Sequence, residues 1–222
     1  MKHKWPLTPL QEVLTERREQ PSKEDLSSGR VRIIEKISFA TGSILIRADG
    51  VTKTGMILAR PGDLVVSGIN AAKGAIAIYT GAADEPLAAT IHYGAYIPNP
   101  VKVDVKFLWW MLRSRLFKEL LLEYVPGGIK TELKAKRLLS VPVPLPLLTE
   151  QRRVVARIEE LTAKIIEVRT LRQQAVEEAD MLLRSILTHD EQAVPTPMRE
   201  LVRLRPPDVD VCADETYQFA GL

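Results

Sequence analysis

Apolar residues in the first half of the chain come in short blocks, at residues 32–38, 56–59, 63–67 and 74–79, broken at Gly42, Gly50, Gly62, Gly68 and Gly81. Blocks of that length, rich in strand-forming residues and bounded by glycine, predict β-strands. Pro61-Gly62-Asp63 predicts a turn between two of them, because proline presets one backbone angle and glycine supplies the next. After Pro100 the period lengthens. Phe107, Leu108, Met111, Leu112 and Leu116 recur at helical spacing, with Arg113, Arg115 and Lys118 elsewhere on the wheel, so one amphipathic helix is expected to pack on the sheet. Trp109 and Trp110 are neighbours on that helix and point in different directions, which favours core packing over a platform for stacked bases.

The stretch from Val141 to Val168 joins two opposed patterns. Its first part, VPVPLP, is excluded from a helix, because proline lacks a backbone N–H and pushes its predecessor into extended geometry. From Thr149, the expected cap, the pattern is helical. Val154, Ile158, Leu161, Ile165, Val168, Ala175, Ala179, Leu182 and Ile186 alternate steps of four and three, with Arg172 the one interruption. A heptad seam sustained over more than four repeats predicts pairing with a helix of comparable length rather than burial on a globular surface. Running from about Glu150 to Thr188 at ~1.5 Å per residue, the helix reaches ~58 Å. No other segment carries heptads, so its partner is expected from a second copy of the chain or from another protein.

Between these regions lies YVPGGIKTELKAKRLLS. The pair Gly127-Gly128 is unsuited to a helix interior, and Thr131 is placed to cap a short helix carrying Lys134, Lys136 and Arg137. Lys130, Lys134 and Arg137 fall at i, i+4 and i+7 and would share a face. With Lys136, and against Glu132, they form the densest positive patch of the N-terminal part. Such a patch is either an anion-binding surface or a solvated basic face.

Composition narrows the classes. A net charge of +3 fits an anionic partner without requiring one, and 45% hydrophobic residues suffice for a sizeable core. The single cysteine, Cys212, excludes a disulfide framework or a cysteine metal cluster and fits a reducing cytoplasm. No apolar core follows Lys2, His3 and Lys4, and no uninterrupted apolar run approaches the ~18 residues of a spanning helix, so a cytoplasmic protein without membrane contact is expected. Gly50 and Gly55 have the spacing of a phosphate loop, but Met56-Ile57 follows where lysine and serine or threonine are needed. Asn99-Pro100 continues as Val101-Lys102, without the second proline and aromatic residue of an amino-methyltransferase site. No catalytic residues, cofactor or metal site are therefore expected.

A repeat completes the reading. TPMRELVRLR from Thr196 aligns with TPLQEVLTER from Thr8, an offset of 188. Together with Trp5-Pro6-Leu7 and Leu10, RPGDLVVS followed by INAAKGAIAI, and the junction VPGGIKTELKAKRLLSVPVPLPLLTEQRRVVARIEEL, it makes the chain resemble the DNA-specificity subunits of type I restriction-modification systems. The proline-rich run into Thr149-Glu150-Gln151-Arg152-Arg153 is the most specific element. The resemblance implies an α+β fold, with a β-rich target recognition domain at 1–146, a long spacer or dimerisation helix at 147–190, and the start of a second, incomplete repeat or a tail at 191–222. It implies double-stranded DNA, modification (methyltransferase) and restriction subunits as partners, and a homodimer through the long helix if the chain is a half-subunit rather than a truncated product.

On that reading the stiff exit sets the angle of the domain and the helix spaces two half-sites, about one DNA turn of ~34–36 Å apart. Base readout is expected from the loop Gly68-Ile69-Asn70-Ala71-Ala72-Lys73-Gly74, with Asn70 toward adenine and Lys73 toward guanine or phosphate; Asn70 is alternatively a simple turn residue. Lys130, Thr131, Lys134 and Arg137 form the second group of DNA contacts, and His92 is a third candidate against a purely structural histidine. Val154, Ile158, Leu161, Ile165, Val168, Leu182 and Ile186 are the helix-pairing residues. The competing classes are a coiled-coil assembly module without DNA specificity, which leaves the β-rich domain unexplained, and a DNA-modifying enzyme lacking recognisable motifs.

Overall fold

The computed structural model describes residues 5–47, 55–127, 132–188 and 196–202. Lys130, Thr131, Gly128, the glycine-spaced segment 50–54 and Cys212 lie outside the described residues. The chain divides into two compact units, Met1–Lys164 and Ile165–Leu222.

The first unit is layered around two four-stranded sheets. One contains β2 (Leu14–Glu16), β9 (Tyr93–Pro98), β6 (Leu64–Ser67) and β7 (Ile76–Ile78) in that spatial order, antiparallel throughout. The other runs β4 (Ile44–Ile46), β3 (Arg32–Ile37), β8 (Leu87–Thr90) and β5 (Met56–Ala59), with β3 and β8 parallel. Four of these strands coincide with the apolar blocks read from the sequence. Successive strand side chains point to opposite faces, and β6 is buried on both: Leu64 and Val66 pack with the helices, while Val65 faces the second sheet. That is why LVVS reads as a continuous apolar run rather than an alternation. Between the sheets lie Ala59, Ala75, Ala77, Ala89 and Ala95, small side chains that let two sheets approach closely. The far face of the second sheet, Val31, Ile33, Met56, Leu58 and Ala88, is covered by Leu26, which belongs to a short helix α1 (Lys23–Ser27).

The expected turn at Pro61-Gly62-Asp63 is present, closed by the Asp63 N–H donating to the Arg60 carbonyl at 3.0 Å, with Gly62 at φ 92°. Asp63 does more than turn the chain. It is 1% exposed and receives both Nε and NH2 of Arg17, at 2.5 and 2.9 Å, which ties the end of β2 to the start of β6. A bidentate pair satisfies the buried carboxylate with two charge-assisted bonds.

The amphipathic segment is two helices, not the one expected: α2 (Val105–Leu112) and α3 (Arg115–Tyr124). Ser114 explains the break. Its side chain caps α3 by accepting from the Phe117 N–H, a bond open to serine in extended backbone and closed to it inside a helix. Trp109 packs as expected, half-buried against the core, its indole N–H donating to the Ile76 carbonyl at 2.8 Å.

The proline-rich exit is the strand β10 (Pro142–Pro144), paired antiparallel with β1 (Leu7–Pro9) in the register Leu7 to Pro144, Thr8 to Val143 and Pro9 to Pro142. Proline donates no hydrogen bond, so such a ribbon stays two-stranded. It is extended at both ends by Leu10 N–H to Val141 O at 3.0 Å and Leu145 N–H to Pro6 O at 2.9 Å.

Next comes α5 (Leu148–Thr188), which begins one residue before the expected cap Thr149. Its opening turns lie on the first unit, contrary to the expectation that the seam faces only a second helix. Gln151 is 0% exposed and Val155 is 6% exposed, while Val154 and Ile158 are half-buried beside Trp5, Phe107 and Trp110. The Gln151 amide is fully used: Oε1 accepts from the Asp104 N–H at 2.8 Å, and Nε2 donates to the carbonyls of Lys102 and Pro146 at 3.1 and 2.8 Å.

In the second unit Ile165, Val168, Leu182 and Ile186 are each more than half exposed in the single chain, whereas Leu161 of the first unit is 43% exposed. Pro197, which opens α6 (Met198–Leu201), has φ −58° and ψ 137°, the same pair as Pro9 before the 3₁₀ turn Leu10–Glu12. Proline commonly adopts that pair, and the segments that follow differ: Leu10, Val13 and Leu14 are buried, whereas Met198, Leu201 and Val202 are exposed.

Replacing Gln151 with leucine should lower stability by about 2–3 kcal/mol, since it leaves the Asp104 N–H and two carbonyls unpaired. A urea midpoint equal to that of the wild type would contradict the role given to this amide.

Candidate nucleic-acid interface

Gly68, at the end of β6, brings three segments together. Its N–H donates to the His92 carbonyl at 2.7 Å and its own carbonyl accepts the Leu133 N–H at 2.8 Å. A Cβ here would sit 3.1 Å from both the His92 and Leu133 carbonyl oxygens, so the approach is one that glycine permits. The loop that follows β6, the turn carrying His92 and the basic segment after residue 131 thereby become neighbours. Sequence spacing alone did not show it.

Glu132 is the hub of this cluster. Its Oε1 lies 2.9 Å from His92 Nδ1, its Oε2 lies 3.9 Å from Lys134 Nζ, and its backbone carbonyl accepts from Arg137 NH1 at 3.4 Å. The expected shared helical face is not how these cations meet. Helix α4 (Ala135–Ser140) starts after Lys134, which is its N-cap residue and provides no side-chain cap. Lys134 and Arg137 converge on Glu132 instead, and Leu138 anchors the helix in the core.

Asn70 and Lys73 part company. Asn70 has φ −118° and ψ 15°, so no left-handed geometry accounts for an asparagine here, and its side chain makes no cap. It lines a groove of about 490 Å³ with Lys36, Ser38, Phe39, Ser67 and Tyr93. Burial pushes the Tyr93 hydroxyl above its usual pKa, against a hydrogen bond with Ser67. Lys73 is exposed and leans over the Phe39 ring, 5.8 Å from its centroid. Arg113 holds the base of the loop: NH1 donates to Gly74 O at 2.5 Å, NH2 donates to Ala40 O at 2.7 Å, and the guanidinium lies 4.6 Å over the Trp109 ring. Gly42, at φ 74°, leaves room for it, since a Cβ there would lie 2.8 Å from Arg113 NH1. Burial draws the Arg113 guanidinium below its usual pKa, yet it remains a fixed cation with a structural task.

Residues 7–178 match the model of the type I restriction modification DNA specificity domain. The chain belongs to that family. One curated relative, the type I restriction enzyme MjaVIII specificity subunit of Methanocaldococcus jannaschii, is 28% identical over 104 residues, covering 47% of this chain and 24% of the relative. The fold is similar to the HsdS subunit from Thermoanaerobacter tengcongensis, with a TM-score of 0.65 at 22% identity over 87% of this chain and 52% of that one. A second solved chain, from work on complex assembly and conformational transition of the type I R-M system, gives 0.62 at 21% identity over 89% and 53%. The chain spans about half the length of these solved chains.

Within a specificity domain of this family, Glu132, Tyr93 and Ser67 are the residues that sequence reasoning did not assign. The only available signal was Glu132 amid the lysines, and it reads as simple charge neutralisation until the fold delivers His92. Among the described residues no cluster of potential metal ligands occurs, and no helix is long and apolar enough to cross a membrane.

Lys134→Ala should weaken binding to all duplex sequences alike and reduce the salt slope by ~1, while Asn70→Ala should cost ~1–3 kcal/mol on a preferred sequence and spare non-specific binding. Anisotropy titrations of both variants at two salt concentrations check the pair; a shift of base preference in Lys134→Ala would reverse the roles.

Proposed function

We propose that the chain is the DNA-reading component of a type I restriction-modification complex, recognising one half of a bipartite site and directing methyltransferase and endonuclease subunits to it. It contributes recognition and no bond chemistry. The observation that carries this reading is the approach, through the backbone bonds of Gly68 in a domain of the specificity family, of a groove edged by Asn70 to a cluster of His92, Lys134 and Arg137. Groups of the first kind read base edges, and groups of the second hold phosphates. Lys73 joins them from the exposed side of the loop, and Lys130 and Thr131 belong to the same proposed surface by sequence.

In this reading α5, with its 41 residues, is the spacer, ~60 Å long at ~1.5 Å per residue, and its exposed apolar stripe supports pairing with a second long helix. For a half-subunit that helix comes from a second copy. The proposed domain limits are recognition in 1–146, spacing and pairing in 147–190, and a second repeat opening in 191–222. The coiled-coil module without DNA specificity accounts for the stripe and leaves the groove without a task.

Selection from a randomised duplex library at stated salt, with and without modification subunits, tests the reading. Enrichment of a short half-site is expected, and flat binding would favour the assembly module. Pairing is tested by Leu182→Glu, at a position 63% exposed in the single chain, which should abolish self-association in sedimentation without unfolding the β-rich domain. Ile158 is less suited to that test because it also lies against Phe107 and Trp110.

A further inference from the structure

We propose that Glu132 occupies the place of a DNA phosphate, and that its carboxylate suppresses non-specific binding by competing for the cations that surround it. The inference rests on the DNA-binding reading above and adds a residue with a role opposite in sign to its neighbours.

The geometry is that of an anion site already filled from within. The two carboxylate oxygens are divided between two nitrogen groups, Oε1 toward His92 Nδ1 at 2.9 Å and Oε2 toward Lys134 Nζ at 3.9 Å, as two non-bridging phosphate oxygens would be. Arg137 approaches the same residue through the backbone carbonyl. All three donors are exposed, and the Glu132 side chain keeps 30% of its surface, so an external phosphate can reach the cluster. The site is also held in place. Gly68 bonds to the backbone of both His92 and Leu133, which fixes the main chain on either side of the cluster.

A tethered carboxylate makes only weak, exposed pairs here, so it is displaced when a duplex makes enough other contacts and persists when it does not. The competition weighs most on a duplex held mainly by its phosphates at this cluster, and least on one that draws its affinity from bases fitting the Asn70 groove. The carboxylate thus lowers affinity for non-fitting DNA more than for fitting DNA, a repulsive element of the kind specificity requires.

Glu132→Gln keeps the size and the hydrogen-bond acceptor for His92 and removes the charge. The variant and wild type are titrated with a scrambled duplex and a library-selected duplex at two salt concentrations, and both are eluted from heparin. Glu119→Gln, which removes an exposed carboxylate paired with Arg115 on α3, corrects for the general gain of positive charge. Scrambled-duplex affinity should rise roughly fivefold for Glu132→Gln, with a salt slope steeper by ~1, a smaller gain on the selected duplex and later elution from heparin than Glu119→Gln. A gain no larger than that of Glu119→Gln, or a loss like that of Lys134→Ala, would show that Glu132 merely neutralises or positions the cations and would overturn the proposal. If neither wild type nor variant binds duplex DNA, the DNA-binding reading fails, and later heparin elution of Glu132→Gln alone would still identify an internally filled anion site.

Discussion

The buried amide of Gln151 is the constraint from which the functional architecture follows. The β-rich domain and the long helix that leaves it keep one mutual geometry only if the angle between the domain and the first turns of the helix is fixed, and apolar contacts alone permit sliding. Gln151 removes that freedom by directional bonding, its three hydrogen bonds reaching Asp104 N–H, Lys102 O and Pro146 O at once. Asp104 is itself the N-cap of α2, accepting from Lys106 and Phe107 N–H, so helix α2 and the opening of α5 are positioned from one point. A buried amide has a low-energy state only when all partners are met, which makes the joint specific rather than merely adhesive.

The proline-rich exit serves the same joint from the other side. Pairing β10 with β1 ties the residues before α5 to the N-terminus, and the adjoining Trp5 ring meets Phe107 edge-on at 6.1 Å. The N-terminal motif, the junction motif and α2 thus form one contiguous assembly. Their places at opposite ends of the domain in sequence conceal that they are a single mechanical unit.

The surface around Gly68 depends on a second economy of contact. Gly68 lets three backbone segments close together, and Arg113, Trp109 and Gly42 hold the following loop from beneath. Basic residues therefore have different tasks. Arg113 is spent on carbonyl oxygens inside the fold, Arg17 on the buried Asp63 carboxylate, and Lys134 and Arg137 face solvent around Glu132. Formal charge counts them equally; only burial and partners separate a structural cation from one that an external anion can reach.

Much of this was legible from periodicity. The strands at 32–37, 56–59, 64–67 and 76–78, the turn at Pro61-Gly62-Asp63 and the long helix all follow from local patterns, because backbone geometry repeats every two residues in a strand and every 3.6 in a helix. The family followed from motifs whose residues are adjacent in sequence. Tertiary structure decided the rest. Ser114 divides one apolar wheel into two helices because a side-chain cap competes with the helix for the same N–H. Val154 and Ile158, identical in pattern to Leu182 and Ile186, lie partly against their own domain because Gln151 and the β1–β10 ribbon press the first turns of α5 onto it. His92 acquires a carboxylate 40 residues away because Gly68 has no side chain to prevent it. Sequence determines which side chains can bury, pair or cap, since those are properties of the residue and its near neighbours. Which partner each one meets is fixed only when distant segments compete for the same space and the same hydrogen bonds.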